Sequence, residues 1–354
     1  GEIMKLLLFV TGRGTGGDAV IAYNILKTLE SRGIMGEIVL DYSAQGYYFK
    51  KHNMSWLKSS IPAAGGHAAS KLSLFKAGLK TIKAVIVGCH LIKKEKADGV
   101  IGIIGGGSVI GCLSAKLAHV PAVGIVSTPT DTKISLKCNN TILLPESPFF
   151  TTKDTINISK YHVKREYLPI REDIVCGDKN NILDKLTDKY DANKKSILFA
   201  SGSTLFEDMA KAARNYAREN DDVNIFVIGA PLHEGINEII DHPNIINLGY
   251  VNYIDDLYDL VDLAVITDDG LTLHETIACK IPVVVVIGVK YGRYHGLSKI
   301  FEGAIIESNV DNITYNINKA LNDYSSMKRA VSKYSRDILE SSEKIIDFIS
   351  SHII

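Results

Sequence analysis

The sequence has little of what marks disulfide-rich, metal-binding or membrane-spanning proteins. Its 354 residues contain five cysteines, an odd number, and none of them are spaced as metal ligands. This cysteine usage favours a reduced, cytoplasmic protein. No apolar run approaches the roughly 18 residues that a membrane-spanning helix requires. Lys5–Val10 is apolar but is followed by a glycine turn after six residues, which indicates a buried strand rather than a signal peptide.

The chain also lacks a net charge of either sign. Its 40 Lys and Arg residues balance 40 Asp and Glu residues, so the chain as a whole is not a polycation suited to nucleic acid. Apolar residues make up 46% and charged residues 23% of the sequence, as in ordinary soluble globular proteins. The length exceeds that of one ordinary α/β domain and suits two domains with separate cores.

Short apolar runs alternate with helical patterns, and this alternation predicts parallel sheets built from βαβ units. The predicted strands of the first half are Lys5–Val10, Glu37–Leu40, Val100–Ile104, Ala122–Val126 and Ile142–Leu144. Those of the second half are Ser196–Ala200, Asn224–Ile228, Ile245–Leu248, Leu263–Ile266, Val283–Ile287 and Ala304–Ile306. Predicted helices include Asp18–Ser31, Thr204–Asn220 and Thr272–Cys279. The expected fold class is α/β, with two doubly wound Rossmann-like domains that face a cleft at the carboxyl ends of their strands.

The alternation stops between about Thr151 and Asn193, where the sequence is polar and contains Pro169. This break predicts a domain boundary. We assign residues 4–168 to an N-terminal domain and residues 169–334 to a C-terminal domain. The last segment, about 335–354, has a helical apolar pattern and is expected to pack back on the first domain.

The first predicted strand runs into a glycine-rich turn that opens a helix. Gly12, Gly14 and Gly17 fit the dinucleotide-binding fingerprint, and Asp41 ends the second strand, where such folds place a ribose-binding acid. A nicotinamide or flavin oxidoreductase is therefore one open alternative, and a turn that binds nothing is another. Glycines allow the backbone to approach a ligand closely, and a helix start favours an anion.

A second glycine-rich turn, Gly105–Gly107 with Ser108, follows another predicted strand and again opens a helix. Two such turns at neighbouring strand ends are unusual for dinucleotide binding and suit a bulky acceptor that carries phosphates. The residues assigned to acceptor binding are Gly14, Thr15, Gly16, Gly17, Gly105, Gly106, Gly107 and Ser108. A tight turn without a ligand is the alternative for the second turn.

Four segments of the second half carry a family resemblance. They are Asn252–Leu257, Asp262–Val265, Asp269–Ala278 and Ile281–Val283. They resemble the nucleotide-binding half of the MurG-like enzymes in glycosyltransferase family 28, and the block around Glu275 is the most specific of them. The resemblance extends to Gly14–Gly17, Gly105–Gly107, Ser201–Ser203 and Pro169–Arg171. It implies a GT-B fold and transfer of N-acetylglucosamine from a UDP donor to a lipid-linked sugar.

The resemblance also implies roles for single residues. Glu275 matches a glutamate that accepts both ribose hydroxyls, Tyr253 and Ile254 match positions that contact the uracil, and Arg171 would neutralise diphosphate charge. The predicted donor site comprises Arg171, Ser201, Gly202, Ser203, Tyr253, Ile254, Gly270, Leu271, Thr272, Glu275, Tyr294 and His295. The alternatives are structural: a helix N-terminal acid, core packing or a solvated linker charge. We expect a UDP-sugar as donor substrate, with no cofactor and no metal.

Three positions depart from the family pattern. Asp18 replaces a histidine after the first glycine turn; it is the candidate general base, or else an N-terminal helix acid without chemistry. Val126–Asp131 replaces a His-Glu-Gln-Asn stretch, and Tyr294 and His295 replace paired glutamines near the donor sugar. The resulting hypothesis is a related enzyme with altered sugar contacts, for example one acting on a wall polymer such as archaeal pseudomurein.

Positive charge is concentrated in one region of the first half. Ten lysines and a single acid, Glu95, lie between Lys50 and Lys96. The segment Lys71–Lys94 has the pattern of a basic amphipathic helix, which suits an anionic membrane leaflet. The predicted membrane patch is Trp56, Lys71, Leu72, Phe75, Lys76, Leu79, Lys80 and Lys83. A solvated helix over a normal core is the alternative, and no recognisable RNA-binding motif accompanies the charge.

The function expected from these patterns is an inverting UDP-sugar-dependent hexosyltransferase. It would transfer a sugar, with N-acetylglucosamine the first choice, to a polyprenyl-diphosphate-linked cell-wall precursor, as a cytoplasmic, peripheral protein on the inner membrane face. No nucleic acid partner is expected. A UDP-sugar 2-epimerase, an NAD(P)-dependent oxidoreductase and a non-enzymatic sugar-nucleotide sensor remain as alternatives.

Overall fold

The computed structural model describes residues 3–63, 71–153 and 155–353, and the chain divides into two compact units. The first unit comprises the chain up to Pro169 together with the chain from Glu340 on. The second unit is Ile170–Leu339. The prediction of two doubly wound α/β domains is confirmed, because each unit contains its own parallel sheet.

The first unit is built on a seven-stranded sheet in the order β3-β2-β1-β4-β5-β6-β7, with every neighbouring pair parallel. Its strands are β1 (Lys5–Val10), β2 (Met35–Asp41), β3 (Leu57–Ser59), β4 (Gly99–Ile103), β5 (Ala122–Val126), β6 (Asn140–Leu143) and β7 (Val163–Arg165). Its helices are α1 (Gly17–Ser31), α2 (Tyr47–Lys51), α3 (Lys71–Lys94), α4 (Gly105–Ala118), α5 (Pro129–Cys138) and α6 (Thr155–Ile158). All residues of β4 and β5 are buried, as expected for parallel strands covered on both faces.

The second unit has a six-stranded parallel sheet in the order β12-β10-β8-β13-β14-β15, and a small parallel pair, β9 with β11. Its strands are β8 (Lys195–Phe199), β9 (Thr204–Leu205), β10 (Val223–Ile228), β11 (Ala230–Pro231), β12 (Ile245–Gly249), β13 (Leu263–Thr267), β14 (Val283–Val286) and β15 (Ile305–Ser308). Its helices are α7 (Glu207–Glu219), α8 (Gly235–Ile240), α9 (Ile254–Leu260), α10 (Gly270–Ala278), α11 (Ile313–Asn322) and α12 (Tyr324–Leu339).

The C-terminal helix, α13 (Ser341–Ile353), belongs to the first unit. Its carboxylates Glu343 and Asp347 pair with Arg32 at the end of α1. At its other end Ile353 packs on Gly99, where an added Cβ would lie 2.6 Å from the Ile353 side chain. The first unit therefore contains two segments of sequence that are far apart in the chain.

One predicted helix was wrong at its start. Residues 204–205 form strand β9 rather than the beginning of a helix, and α7 starts at Glu207. The Ser201 hydroxyl donates to the Thr204 carbonyl at 2.8 Å and accepts from the Phe206 N–H at 3.0 Å. These two hydrogen bonds stabilise a turn between Ser201 and Phe206, and α7 begins only after this turn. The short edge strands β3 and β7 were not predicted.

Candidate functional site

Three loops of the second unit follow neighbouring strands and begin at the same edge of its sheet. They come after β8, β13 and β14, which are adjacent in the order β8-β13-β14. The carboxyl ends of parallel strands are the usual position of ligand sites in such sheets. Most of the predicted donor residues lie on these loops or on the helix that begins there.

The first of these loops contains Ser201, Gly202 and Ser203. Ser201 is buried and its hydroxyl supports the turn before α7; its contact with the donor stays a prediction. Gly202 has a φ of +90°, a conformation that favours glycine. Ser203 is exposed.

Helix α10 starts directly after β13. Asp269 precedes it as the N-terminal cap residue, but the Asp269 carboxylate accepts a hydrogen bond from Thr267 Oγ1 at 2.5 Å rather than capping the helix. Gly270, Leu271 and Thr272 form the first turn and are half-buried. N–H groups at a helix start, together with the helix dipole, favour an anion. This helix start can therefore receive a phosphate group.

Glu275 lies one turn into α10 and is half-buried. Burial raises the pKa of its carboxyl to about 7, and the positive charge of Arg171 opposes that rise. Arg171 is exposed and forms an ion pair with Asp173 at 3.5 Å. Its charge also acts on Cys279, one turn further along α10. The Arg171 charge thus acts electrostatically on Glu275, the carboxylate predicted to bind ribose.

The predicted uracil contacts lie at the start of α9. Tyr253 is the cap residue of α9 and Ile254 is its first residue; both are half-buried. The Lys185 ammonium lies 4.4 Å from the centroid of the Tyr253 ring, and burial raises the Tyr253 pKa. Glu275 also contributes to the raised pKa of Tyr258 on α9, so α9 lies within electrostatic reach of Glu275.

Asp268, which the sequence did not single out, fixes the third loop. Its buried carboxylate accepts backbone N–H groups of His295 at 2.8 Å, Gly296 at 3.0 Å and Leu297 at 3.2 Å. The two predicted sugar contacts in this loop, Tyr294 and His295, are thereby tied to the start of α10. Tyr294 is half exposed and donates to Glu307 Oε1 at 3.0 Å.

In the first unit, the first glycine turn joins β1 to α1. Gly14 is buried with a φ of +72°, and a Cβ there would lie 2.9 Å from both Gly46 Cα and Leu40 Cδ1. Thr15, Gly16 and Gly17 are exposed. Gly14 is therefore needed for packing against the segment before α2, while the next three residues are accessible.

Asp18 lies in the first turn of α1 and is half-buried. Burial, together with the negative charges of Glu146 and Asp131, raises the pKa of its carboxyl to about 6. A carboxylate with this pKa can accept a proton near neutral pH more readily than an ordinary aspartate. The role of Asp18 as a general base stays a prediction.

The second glycine turn is closely packed. Asp131 is buried, forms a capping box with Thr128, and accepts the Gly105 N–H at 2.7 Å. A Cβ on Gly106 would lie 2.6 Å from the Pro62 carbonyl oxygen, and one on Gly107 would lie 2.5 Å from the Thr11 backbone nitrogen. Ser108 is buried as well. These contacts give Gly105–Ser108 a packing role, so their acceptor contact stays a prediction.

The backbone is strained where this turn begins. Ile104 has a φ of +58° and is buried, an unfavourable conformation for a β-branched residue. Such strain is typical of functional sites held in place by the surrounding fold. The end of β4 is therefore a rigid, over-determined part of the first unit.

Asp41, the acid of the dinucleotide alternative, is used within its own loop. Its carboxylate accepts the Ser43 N–H at 3.0 Å and the Ser43 hydroxyl at 2.5 Å through one oxygen, and the Ile61 N–H at 2.7 Å through the other. Burial alone would raise the Asp41 pKa, but these hydrogen bonds outweigh it and lower the pKa. Because both oxygens are engaged, the geometry does not favour Asp41 as a ribose-binding acid.

Helix α3 has apolar residues on two faces. One face is buried and includes Ala84, Cys89 and Ile92. The other is an exposed apolar stripe with three- and four-residue spacing: Leu72 (63% exposed), Phe75 (65%), Leu79 (45%), Ile82 (58%) and Ile86 (45%). A surface helix ordinarily has only one apolar face. Among the described residues, α3 therefore departs from this pattern by its second, exposed apolar face.

Exposed lysines flank the stripe, and an apolar groove continues it. The predicted patch lysines on α3 are Lys71, Lys76, Lys80 and Lys83, all exposed. The groove, of about 590 Å³, lies between α3 and α4 and includes Val85, Leu113 and Leu117. Trp56 lies outside α3; it is half-buried, with its ring against Gly46. Across residues 3–63, 71–153 and 155–353, no helix is both long and apolar enough to cross a bilayer.

Comparison with known proteins finds similarity in fold but no match in sequence to a family model or a curated protein. Among solved structures, MurG from Acinetobacter baumannii superposes with a TM-score of 0.68 at 16% identity, covering 99% of this chain and 100% of that one. The chain has the GT-B fold. The sequence resemblance to MurG-like proteins is thus confirmed at the level of the fold.

Two further solved structures with this fold carry nucleotides. Anabaena HepE, in complex with UDP, superposes with a TM-score of 0.66 at 14% identity over 99% of this chain and 100% of that one. UDP-GlcNAc 2-epimerase from Neisseria meningitidis, bound to UDP-GlcNAc, gives 0.65 at 12% identity over the same shares. Within the described residues, no group of three or more His, Cys, Asp or Glu side chains is arranged to hold a metal ion.

The packing role of Gly107 is testable. Gly107→Ala places a methyl group against backbone atoms of β1, so we expect the free energy of unfolding to fall by about 1–3 kcal/mol. Urea unfolding measures it. Gly78→Ala is the matched control, since Gly78 also lies in a helix but faces open space, and there alanine should be neutral or stabilising. Equal stability of Gly107→Ala and wild type would refute the packing account.

The raised pKa of Glu275 predicts a pH-dependent stability. Its pKa is about 7 in the fold and near 4.5 in the unfolded chain, so its contribution to the free energy of unfolding falls as the pH rises from about 4.5 to 7. Glu275→Gln removes this loss. We expect the variant to gain roughly 1–3 kcal/mol over wild type at pH 8 and much less at pH 5.

Urea midpoints at both pH values test this expectation, with Glu238→Gln as control because Glu238 is exposed on α8. A gain that is the same at pH 5 and pH 8 would contradict the burial of an ionisable carboxylate at position 275.

Proposed function

We propose that this protein is an inverting glycosyltransferase that transfers a sugar from a UDP donor to a polyprenyl-diphosphate-linked acceptor. The observation that carries the proposal is the start of α10. A helix end able to receive a diphosphate is followed one turn later by Glu275, a half-buried carboxylate able to accept ribose hydroxyls. The GT-B fold, shared with MurG and with UDP-bound HepE, supports the same interpretation.

In this proposal the donor is bound by the second unit. Glu275 orients the ribose, Tyr253 and Ile254 contact the uracil, and the first turn of α10, Gly270–Thr272, faces the diphosphate. Tyr294 and His295 lie on the loop fixed by Asp268 and would contact the donor sugar. N-acetylglucosamine is the proposed sugar, by analogy with the family that the sequence resembles.

Asp18 is the proposed general base. It would take the proton of the acceptor hydroxyl while that oxygen forms a bond to the anomeric carbon and the bond to the diphosphate breaks, which inverts the anomeric centre. The leaving UDP would be stabilised by the helix N–H groups and by a positive side chain. The exposed residues of the first glycine turn, Thr15–Gly17, would contact the acceptor next to Asp18.

The membrane is the proposed location of the acceptor. The exposed stripe of α3 would enter the interfacial region, where full burial of a large apolar side chain contributes about 1.5–3 kcal/mol. The lysines beside it would add about 1 kcal/mol each near an anionic leaflet. α3 contains no acidic residue, so no negative charge on this helix opposes the attraction. The protein would act as a peripheral protein on the inner leaflet, in the assembly of a cell-wall polymer.

A UDP-sugar 2-epimerase is the second candidate, because solved 2-epimerases share the fold. Such an enzyme would need the donor site but neither a lipid-linked acceptor nor the exposed stripe. The 2-epimerase activity of the wild type on UDP-N-acetylglucosamine, without an acceptor, separates the two candidates.

Titration calorimetry with UDP, UDP-N-acetylglucosamine and NAD tests the donor site. We expect UDP and the UDP-sugar to bind, and Glu275→Ala to weaken both by roughly 10- to 100-fold, since hydrogen bonds to a charged group contribute about 1.5–3 kcal/mol. Glu238→Ala is the control.

Asp18→Asn should keep donor affinity and lose transfer to a lipid-linked acceptor. Full transfer activity of Asp18→Asn would exclude Asp18 as the base. Binding of NAD instead of UDP would favour the alternative of a dinucleotide-binding oxidoreductase.

Vesicle sedimentation tests the membrane surface. The wild type should bind vesicles that contain phosphatidylglycerol, with an affinity that falls as the salt concentration rises. It should not bind vesicles made only of phosphatidylcholine. Lys76→Ser/Lys80→Ser/Lys83→Ser should weaken binding by about 100-fold, and Phe75→Ser/Leu79→Ser should weaken it through lost apolar burial. Lys319→Ser/Lys333→Ser, exposed lysines of the second unit, is the control. Equal binding of all variants would refute the assignment.

A further inference from the structure

Lys290 lies where the three loops of the second unit meet. It follows β14 and is half-buried, and its Nζ is 3.7 Å from Asp269 Oδ1 at the start of α10. A Cβ on Gly202, in the loop after β8, would lie 3.4 Å from the same nitrogen. The ammonium also lies 5.9 Å from the centroid of the Phe206 ring. One positive charge from the loop after β14 therefore lies beside the loops after β8 and β13.

Asp269 places a negative charge at the helix start where the proposed function puts a diphosphate. Its Oδ1 accepts the Thr267 hydroxyl and faces Lys290. A carboxylate and a diphosphate of the same sign repel each other at such a short range. Lys290 can relieve this conflict, because a lysine ammonium is a point charge on a flexible stem that can change partners.

Arg171 is less well placed for this task. Its charge acts on Glu275 and Cys279, the middle and the end of α10, and its ion pair is with the exposed Asp173. Lys290 instead pairs with Asp269, the residue that precedes the first turn of α10, and lies beside Gly202 in the loop after β8. The start of the helix thus has its own positive side chain.

We infer that Lys290 binds the diphosphate of the donor. Before the donor binds, Asp269 holds Lys290 at the start of α10, and the diphosphate then replaces Asp269 as the partner of Lys290. On donor binding the ammonium exchanges its carboxylate partner for phosphate oxygens, and it remains beside the leaving UDP as negative charge develops there. The inference rests on the proposed nucleotide site at α10 and adds to it a lysine and an acid that oppose each other in their effect on affinity.

Substitutions of Lys290 and of Asp269 should change the affinity for UDP in opposite directions, and this distinguishes the proposed exchange from a purely structural ion pair. Lys290→Ala should weaken UDP binding by about 10- to 100-fold, since it removes a charged contact to phosphate, and Lys290→Arg should recover part of the loss. Asp269→Asn should tighten UDP binding by about 3- to 10-fold, because it removes the repulsion and frees the lysine. In the variant that carries both Lys290→Ala and Asp269→Asn, the gain in UDP affinity from Asp269→Asn should be smaller. Only the part that comes from removing the repulsion between the carboxylate and the diphosphate should remain.

Calorimetry with UDP, and ligand-observed NMR with uridine, measure these effects. Uridine has no phosphate, so Lys290→Ala and Asp269→Asn should leave its affinity unchanged, whereas Glu275→Ala should weaken both ligands. Lys299→Ala, an exposed lysine after the same loop, is the control. If wild type binds UDP and Lys290→Ala binds it equally well, or if Asp269→Asn weakens UDP binding, the exchange is wrong. If wild type binds neither UDP nor uridine, the nucleotide site fails and this assignment with it.

Discussion

The Asp268 carboxylate and its three backbone N–H partners fix the end of the loop after β14 in the second unit. Asp268 stands between β13 and α10, so whatever it holds is fixed relative to the start of that helix. It holds residues 295–297, which carry the end of the loop after β14. A buried carboxylate is stable only when it is hydrogen-bonded, and here the backbone supplies those bonds. The positions of His295 and Tyr294 therefore follow from one interaction between sequence segments about 27 residues apart.

Two half-buried carboxylates, Asp18 and Glu275, cost stability in the unliganded fold. Their pKa values of about 6 and about 7 mean that burial disfavours the charged forms near neutral pH. Such groups are common where a protein keeps reactivity or ligand affinity in reserve. Parallel strands that are buried along their whole length, such as β4, β5 and β13, supply stability that offsets this cost. Stability and strain are thus separated: apolar strands form the sheets, and the strained or charged groups lie at the strand ends.

Local patterns were sufficient to predict the central strands of both sheets but not the edge strands β3 and β7. The predicted bounds of α3, Lys71 and Lys94, agree with the structure. Interactions between distant segments were not predictable. Thr204–Leu205 forms a strand because the Ser201 hydroxyl holds the turn, against a local helical pattern. Gly106 and Gly107 fit a ligand-binding turn in sequence, but backbone atoms from Pro62 and Thr11 occupy the space beside them. Asp268 and Lys290 were missed for the same reason, since an acid at a strand end and a lysine in a glycine-rich loop gain meaning only from their distant partners.

Helix α3 presents a physical conflict that the described residues of the first unit do not resolve. Its buried face packs normally, with Ala84 and Ile92 almost inaccessible, yet Leu72 and Phe75 on the other face are more than half exposed. In water the stripe would favour association with a second copy, but the lysines along the same helix would face each other in such a pair and repel. An anionic leaflet satisfies both features at once, because it accepts the apolar stripe and attracts the lysines. In the proposed function, the charge that opposes self-association would therefore also favour the anionic membrane surface.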